Sequence, residues 1–398
     1  MKTNRTYELG KRLLFSMLIL AIYMLGRSVL LYRVDPAAYQ LEDLDAQNIM
    51  ASMISGDRYQ YTVFALGLMP YITSSLLMWI VMAIGGSGFR TRFSPRKISR
   101  FTLALMLVIA SVSAVSRAGD LMFRPSPLDV RALRAIAAAE MVAGAAVIHG
   151  MADLNKERGI GGQTPVILVN IVDGLAMTLQ GYSLEQLERP LILTLIMATV
   201  ILVMECVIIR IPVQRVSIHS EYAKDSCIRL KSDPIGVMPV MFAVSFLMIL
   251  RFVVRLILYV HGSQGLQRFY EQLQLTTPTG VGVYLGILFG LNILFSFVMI
   301  MPGDMAEGLQ KGGDSIVNVY AGKKTKWYLR RKLLLLDLIS GAVFCLLMGI
   351  SLTMALQSGL TPELAMLPSR GTILAGIGLP LLREVRAYWK FDSYSFFI

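Results

Sequence analysis

The stretch QYTVFALGLMPYITSSLLMWIVMAIGG, residues 60–86, decides the fold class of this chain. It is long and apolar enough to cross the hydrocarbon core of a bilayer, which requires about 20 residues of helix. A plain membrane anchor does not need the glycine at Gly67, the proline at Pro70 or the hydroxyl side chains of residues 73–75. These features favour a helix that lines a path or packs closely on a moving neighbour.

The composition places the whole chain in the membrane class. Of its 398 residues 55% are hydrophobic and 16% are charged, whereas soluble domains carry about 25% charged residues. The first apolar block lacks a small-residue cleavage site, so it is predicted to be a spanning helix and not a signal peptide. Cys206, Cys227 and Cys345 share no close spacing, which argues against a zinc motif or a disulfide framework. An all-α polytopic membrane protein is therefore predicted.

Ten apolar segments are predicted to span the membrane. They are residues 13–31, 60–86, 101–118, 133–151, 166–179, 191–211, 235–260, 281–301, 333–356 and 372–387. Lysine and arginine collect in alternate connecting segments, which places both termini in the cytoplasm by the positive-inside rule. This topology accounts for most of the net charge of +12, so no DNA partner is expected.

The ten spans divide into two sets of five, and an odd number of spans turns the second set upside down relative to the first. We therefore expect a single domain over residues 1–398, built from two inverted halves, 1–186 and 187–398. Helix-breaking residues recur at the starts of spans, at Pro165, Gly236 and Pro239 as well as in the opening stretch. Their presence in spans two and seven, equivalent helices of the two halves, favours a functional role.

Several charged residues fall inside predicted spans: Glu140, Asp173, Glu205, Arg251, Arg255 and Asp337. Charges in a membrane are costly, so they either pair within the bundle or serve a function. A proton-coupled secondary transporter that uses Glu140, Asp173 or Asp337 is therefore a rival class. Residues 85–88 match the G-x-S-G pattern of intramembrane proteases, but they follow a span and are predicted to end a helix. Phosphate-binding loops, metal-binding helix motifs and cofactor boxes are missing from the sequence, so we expect no enzyme activity, metal or cofactor.

Residues 64–75, FALGLMPYITSS, resemble the second-helix signature of the SecY family, the channel subunit of the protein translocon. Further motifs resemble that family in the same order along the chain. They are RKISRFT at 96–102, KERGIGG at 156–162, IRIPVQ at 209–214, LKSDPIGVMPVMFAVS at 230–245, DMAEGLQKGG at 304–313 and AGKKTKWYL at 321–329. The resemblance covers nearly the whole chain and implies ten helices in two inverted halves around an hourglass pore.

The resemblance also implies roles for individual residues. The pore ring would consist of Leu68, Ile72, Leu168, Val172, Met241 and Leu374, with Ile377 as an alternative to the last. The lateral gate would include Thr73, Ser74, Ser75, Phe242 and Ser245, and the plug would be residues 46–55, with Ile49, Met50, Met53 and Ile54. Apolar side chains suit a ring that fits many passing sequences and resists ion leakage. Pro70, between Leu68 and Ile72, is predicted to be the weak point that lets the second helix shift.

The loop at 303–332 is long, basic and rich in aromatic residues near its end. It is either a topology signal alone or a docking surface for an anionic partner, such as ribosomal RNA or an acidic face of a motor protein. The resemblance implies docking by Arg215, Lys231, Tyr320, Lys323, Lys324, Lys326 and Arg330. The implied partners are a SecA-type ATPase motor, small SecE-like and SecG-like or accessory subunits, secretory preproteins, membrane lipid and the ribosome, in a bacterial cytoplasmic membrane.

Two departures from the family pattern point to a specialised member. Residues 161–165 read GGQTP where the family usually has G-I-G-N-G-x-S, and Tyr320 stands where an arginine important for motor coupling is common. Such changes resemble the accessory SecY variant, which works with its own motor and exports glycosylated, serine-rich surface proteins. A housekeeping SecY is the alternative.

Overall fold

The computed structural model describes residues 8–35, 61–92, 94–125, 129–214, 226–357 and 361–394. The predicted plug at 46–55 and the predicted docking residue Arg215 lie outside these ranges. Helices dominate the described residues. They are α1 Glu8–Arg27, α2 Met69–Arg92, α3 Pro95–Asp120, α4 Val130–Arg158, α5 Thr164–Gly181, α6 Leu184–Cys206, α7 Met238–His261, α8 Gln264–Gln272, α9 Pro278–Ile300, α10 Pro302–Lys311, α11 Lys323–Gln357, α12 Pro362–Ala365 and α13 Leu367–Tyr394.

Ten of the helices within the described ranges have 18 residues or more, and each overlaps one predicted span. Eight helices in these ranges are both long and apolar enough to cross a membrane. The apolar part of α2, Met69–Met82, is shorter than that limit. The spans were predictable because the thickness of the hydrocarbon core sets the length of each apolar segment.

The opening stretch is helical only in its second part, which corrects the predicted start at residue 60. Residues 61–68 form turns, and α2 begins at Met69. The preceding turns are held by backbone bonds to the segment after α1, including the Leu31 N–H to the Tyr61 carbonyl at 2.9 Å. Pro70 therefore stands in the first turn of α2, where its missing N–H breaks no helical bond. The predicted role of Pro70 as the weak point that lets this helix shift stays a prediction.

A small antiparallel sheet corrects the predicted end of span six at residue 211. Helix α6 ends at Cys206, and the following apolar residues form strand β1, Ile208–Gln214. Strand β1 pairs with β2, Cys227–Lys231, and with the short β3, Ser315–Ile316, in the order β2-β1-β3. One face of the sheet packs on α10 and α11 in a core formed by Ile211, Leu230, Ala306, Ile316, Leu329 and Leu336.

The chain forms two compact units. The first comprises Met1–Pro190, Leu360–Arg370 and Ile377–Ile398, and the second comprises Leu191–Gly359 and Gly371–Gly376. Within the first unit, small residues such as Ala110, Ala114 and Ala137 fill the core between α3 and α4 and allow the two helices to approach closely. Within the second unit, α9 packs against α7 and α11. The inverted relation of halves 1–186 and 187–398 stays a prediction.

Candidate functional site

The predicted pore-ring residues have very different environments. Leu68 and Ile72 in the first unit are each 1% exposed, and the Ile72 N–H donates to the Leu68 carbonyl at 2.9 Å. Leu168 is partly buried, whereas Val172, one turn further along α5, is 45% exposed. In the second unit Met241 is buried and Leu374 is partly buried, and Ile377 in the first unit is buried. This backbone bond joins Leu68, which directly precedes α2, to Ile72 in its first turn, while the complete ring stays a prediction.

The predicted gate hydroxyls lie in the first two turns of α2. Thr73 and Ser74 are buried, and Ser75 is partly buried. The Ser74 hydroxyl donates to the Tyr71 carbonyl at 2.9 Å, so this donor is satisfied within its own helix. A hydrogen bond from a serine hydroxyl to a carbonyl of its own helix offsets the free-energy cost of burying the hydroxyl, and it slightly weakens the helix.

The predicted gate residues of α7 are both buried. Phe242 packs edge-to-face on Phe295 of α9, with the ring centroids 4.9 Å apart, and Ser245 lies one turn further along α7. Aromatic pairs of this geometry add stability beyond their buried area. The first turns of α7 are therefore anchored on α9.

A polar layer in the first unit fixes α5 to its neighbours. Arg27 at the end of α1 forms an ion pair with Asp173 of α5 at 2.9 Å, and the Tyr23 hydroxyl donates to the Asn170 side chain at 2.9 Å. The Arg27–Asp173 pair borders a cavity of about 360 Å³. The cavity is lined by Met24, Arg27, Ser28, Leu30, Tyr61, Thr62 and Asp173. Sequence reasoning found Asp173 but missed its partner, because a pairing across 146 positions leaves no local signal.

The far end of α5 is closed by a buried arginine. Arg370 is 2% exposed, and its guanidinium donates to the Gly174 carbonyl and to the Thr178 hydroxyl, both at 2.6 Å. A buried charge is tolerated when its donors are used, and here they satisfy polar groups in the last turns of α5. In the sequence Arg370 lies between the spans predicted at 333–356 and 372–387, so no sequence pattern indicated this role.

The predicted docking surface is open around the start of α11. Tyr320 is 78% exposed, Lys323, Lys324, Lys326 and Arg330 are exposed, and the Lys324 ammonium lies 4.5 Å from the Tyr320 ring centroid. The Thr325 hydroxyl donates to the Tyr320 carbonyl at 2.9 Å, which fixes the turn before the helix. Trp327 is 63% exposed and is covered on one face by Arg331 at 5.6 Å. Cations and aromatic rings together form a surface suited to an acidic partner.

Lys231, another predicted docking residue, has a partner inside the protein. Its ammonium forms an ion pair with Glu205 at 3.0 Å, and the side chains of the two residues are 40% and 1% exposed. Glu205 closes α6, and Lys231 closes β2. The pair therefore joins the end of a predicted span to the small β-sheet.

Asp233 is a buried carboxylate that sequence reasoning did not single out. It is 1% exposed, and its Oδ1 accepts the Gly236 N–H at 3.0 Å. Burial, with a smaller contribution from the nearby Glu205, raises the pKa of Asp233 to about 6, although the Gly236 N–H and Lys231 oppose the shift. The available signal was the sequence Asp-Pro-x-Gly, since an aspartate side chain commonly accepts a backbone N–H in a turn of this kind.

Known proteins resemble this chain over most of its length. The family model described as SecY matches residues 62–375. An accessory Sec system protein translocase subunit SecY2 from Leuconostoc gelidum subsp. gasicomitatum is 24% identical over 417 residues, covering 98% of this chain and 97% of the relative. Relatives with the same name from Streptococcus sanguinis and Streptococcus salivarius are 25% and 26% identical, covering 96% and 97% of this chain and 97% of each relative.

Solved structures of channels share the fold. The structure of a protein conducting channel aligns with a TM-score of 0.65 at 16% identity, covering 96% of this chain and 93% of that chain. Sec61 in the canine ribosome-channel complex aligns with a TM-score of 0.60 at 15% identity, with the same coverage. At these identities the likeness concerns the fold alone, and it confirms the predicted helical polytopic class. The family match confirms the resemblance predicted from the ordered motifs.

Proposed function

Because this chain belongs to the SecY family, we propose that it is the central channel subunit of a Sec-type protein translocase in an accessory system. The observation that carries the proposal is its nearly end-to-end similarity to relatives named as accessory translocase subunits. The departures at residues 161–165 and Tyr320 support the same assignment over a housekeeping SecY. The substrates would be glycosylated, serine-rich surface proteins that cross in the unfolded state.

The proposed path lies along the ring of Leu68, Ile72, Leu168, Val172, Met241 and Leu374. A ring of apolar side chains makes a narrow, dry constriction, in which an ion loses its hydration without finding a replacement ligand. The lateral gate would use Thr73, Ser74 and Ser75 on α2 and Phe242 and Ser245 on α7, and residues 46–55 would form the plug. The burial of Leu68, which directly precedes α2, and of Ile72 in its first turn supports their place in the ring.

The proposed energy source is a SecA-type ATPase that binds the exposed cytosolic surface around Tyr320 and Trp327. The protein is a multi-pass membrane protein, which we place in the bacterial cytoplasmic membrane with both termini inside. Small SecE-like and SecG-like or accessory subunits would complete the complex, and the same basic surface could bind a ribosome. The channel itself lowers the barrier to passage and forms no covalent intermediate.

Photocrosslinking in cells tests this assignment. A photoreactive amino acid in place of Trp327 is expected to capture a SecA-type ATPase, whereas the same amino acid at Leu184, which is 86% exposed at the start of α6, is expected to capture none. Deletion of the gene is expected to abolish export of a serine-rich surface protein and to leave housekeeping preproteins unaffected. Normal export of the serine-rich protein in the deletion strain would contradict the accessory assignment.

A further inference from the structure

Three elements of the second unit meet near the cytosolic end of α7. Lys231 at the end of β2 forms its 3.0 Å ion pair with Glu205 at the end of α6, and the Ser232 N–H donates to the Val207 carbonyl at 2.9 Å. Two residues later, the Asp233 carboxylate accepts the Gly236 N–H at 3.0 Å. We call this cluster the hairpin link; it consists of Glu205, Lys231, Asp233 and Gly236.

Gly236 brings the start of α7 directly against Glu205. Its φ of +71° lies in the left-handed region that favours glycine. A methyl group added at Gly236 would lie 2.9 Å from a Glu205 carboxylate oxygen. Since Glu205 also holds Lys231, one buried carboxylate contacts both the last residue of the hairpin and the turn that begins the helix.

We propose that the hairpin link transmits displacement of the β1–β2 hairpin to α7, so that Glu205 and Lys231 are positioning residues for opening the channel. This role rests on the proposed function of the protein as a motor-driven channel. Only Ser232 separates Lys231 from Asp233, and both of these residues are held by side-chain contacts, so this segment has little freedom to absorb a displacement. A motor that moves the hairpin would therefore move the first two turns of α7, which carry Met241 and Phe242.

The alternative role for Lys231 is direct docking of the motor, as the sequence predicted. The two roles differ in their consequences for Glu205, which is 1% exposed and so cannot contact a docked protein. If Lys231 docks the motor, neutralising Glu205 leaves motor affinity and transport intact. If the pair transmits movement, neutralising either partner stops transport while the motor still binds, because a buried charge that loses its partner no longer holds its position.

The test uses the channel complex reconstituted in liposomes with the ATPase captured at Trp327, ATP and a fluorescent preprotein. Transport is measured as the amount of preprotein protected from added protease, per folded channel. Lys231→Met and Glu205→Gln are each expected to lower this amount at least tenfold. The Kd of the motor is expected to stay within twofold of its value for the unmodified channel. The charge-swapped double variant Lys231→Glu, Glu205→Lys is expected to recover at least half of the transport. The matched control is the exposed Arg124–Asp35 pair in the first unit, whose atoms are 3.3 Å apart and whose side chains are 57% and 39% exposed. Arg124→Met is expected to change neither readout.

Several results would overturn the link. Normal transport in Glu205→Gln would refute it, as would weaker motor binding in Lys231→Met alone, which would assign Lys231 to docking. A loss of transport that only follows the loss of folded protein would assign the pair to stability. If a neutralised variant does not accumulate, the charge-swapped variant decides, because a folded but inactive swap contradicts the proposal. Failure of the proposed function has a separate signature, since the unmodified channel would then transport nothing.

Discussion

Replacement of Asp233 by asparagine is expected to stabilise the protein at neutral pH and to remove one pH dependence of its stability. Asp233 lies in the segment between β2 and α7, and burial raises its pKa from 3.8 to about 6. Asparagine keeps an oxygen that can accept the Gly236 N–H, and it places a neutral amide beside Glu205 where the ionised aspartate places a second negative charge.

The magnitude follows from the pKa difference between the folded and unfolded states. About two pKa units at 1.36 kcal/mol each give roughly 3 kcal/mol. The folded state binds the proton of the Asp233 carboxyl more tightly than the unfolded chain does. The stabilisation from this proton is therefore fully present below pH of about 4 and is lost as pH rises to about 6. Above that pH the aspartate is ionised and buried, and the asparagine variant does not carry this cost.

Thermal unfolding of the detergent-solubilised protein, followed by tryptophan fluorescence between pH 4 and 8, measures the effect. The midpoint of Asp233→Asn minus that of the unmodified protein is expected to rise by several degrees from pH 4 to pH 6 and then to stay constant. Titrations of other groups are common to both proteins and cancel in the difference. Glu271→Gln, at an exposed site on α8, is the control and is expected to give a much smaller change. A difference independent of pH, or an asparagine variant less stable at pH 7.5, would refute the reasoning.

Three further substitutions test the ring, the closure of α5 and a close helix approach. Ile72→Asn is expected to raise ion conductance in planar bilayers, because a polar side chain hydrates the constriction; unchanged conductance would count against its place in the ring. Arg370→Met is expected to destabilise the protein by about 2–3 kcal/mol, since it leaves buried acceptors of α5 unpaired; an unchanged unfolding midpoint would contradict this. Gly144→Ala places a methyl group against the Val63 carbonyl oxygen and should lower the midpoint, whereas Gly150→Ala on the same helix meets open space and should raise it slightly. Equal midpoints for the two alanine variants would refute the close approach.

The helical architecture was predictable because apolar length and charge alternation are properties of single segments. The boundaries were less so where an apolar run changes its structure. Residues 207–211 continue the apolar character of α6, yet Ile208 begins β1. Ile208 pairs with Lys231 of β2. No local sequence pattern shows that these two distant segments pair. The same limit hid the Lys231–Glu205 pair, although both residues had been singled out for other reasons.

The prolines lie where the sequence predicted helix-breaking residues, at the starts of spans. Pro70, Pro165 and Pro239 each occupy the second position of a helix, α2, α5 or α7. A fixed φ near −65° suits that position, and the absent N–H would have had no partner within the helix. The residues that need unusual backbone are the preceding glycines, because Gly67, Gly162 and Gly236 all have positive φ.

Two of the three carboxylates that favoured a proton-coupled transporter, Asp173 and Glu140, form structural contacts in the first unit. Asp173 holds Arg27 at the end of α1, and Glu140 of α4 accepts the Tyr32 N–H at 2.9 Å in the segment that follows. Both contacts therefore fix the same stretch of chain, the end of α1 and its continuation toward the turns before α2. A carboxylate that carries protons through a transport cycle must exchange partners with water, whereas these two define where the chain enters α2. Since the proposed ring begins at that point, with Leu68 and Ile72, Asp173 and Glu140 are better explained as supports for the chain that enters α2 than as a proton path.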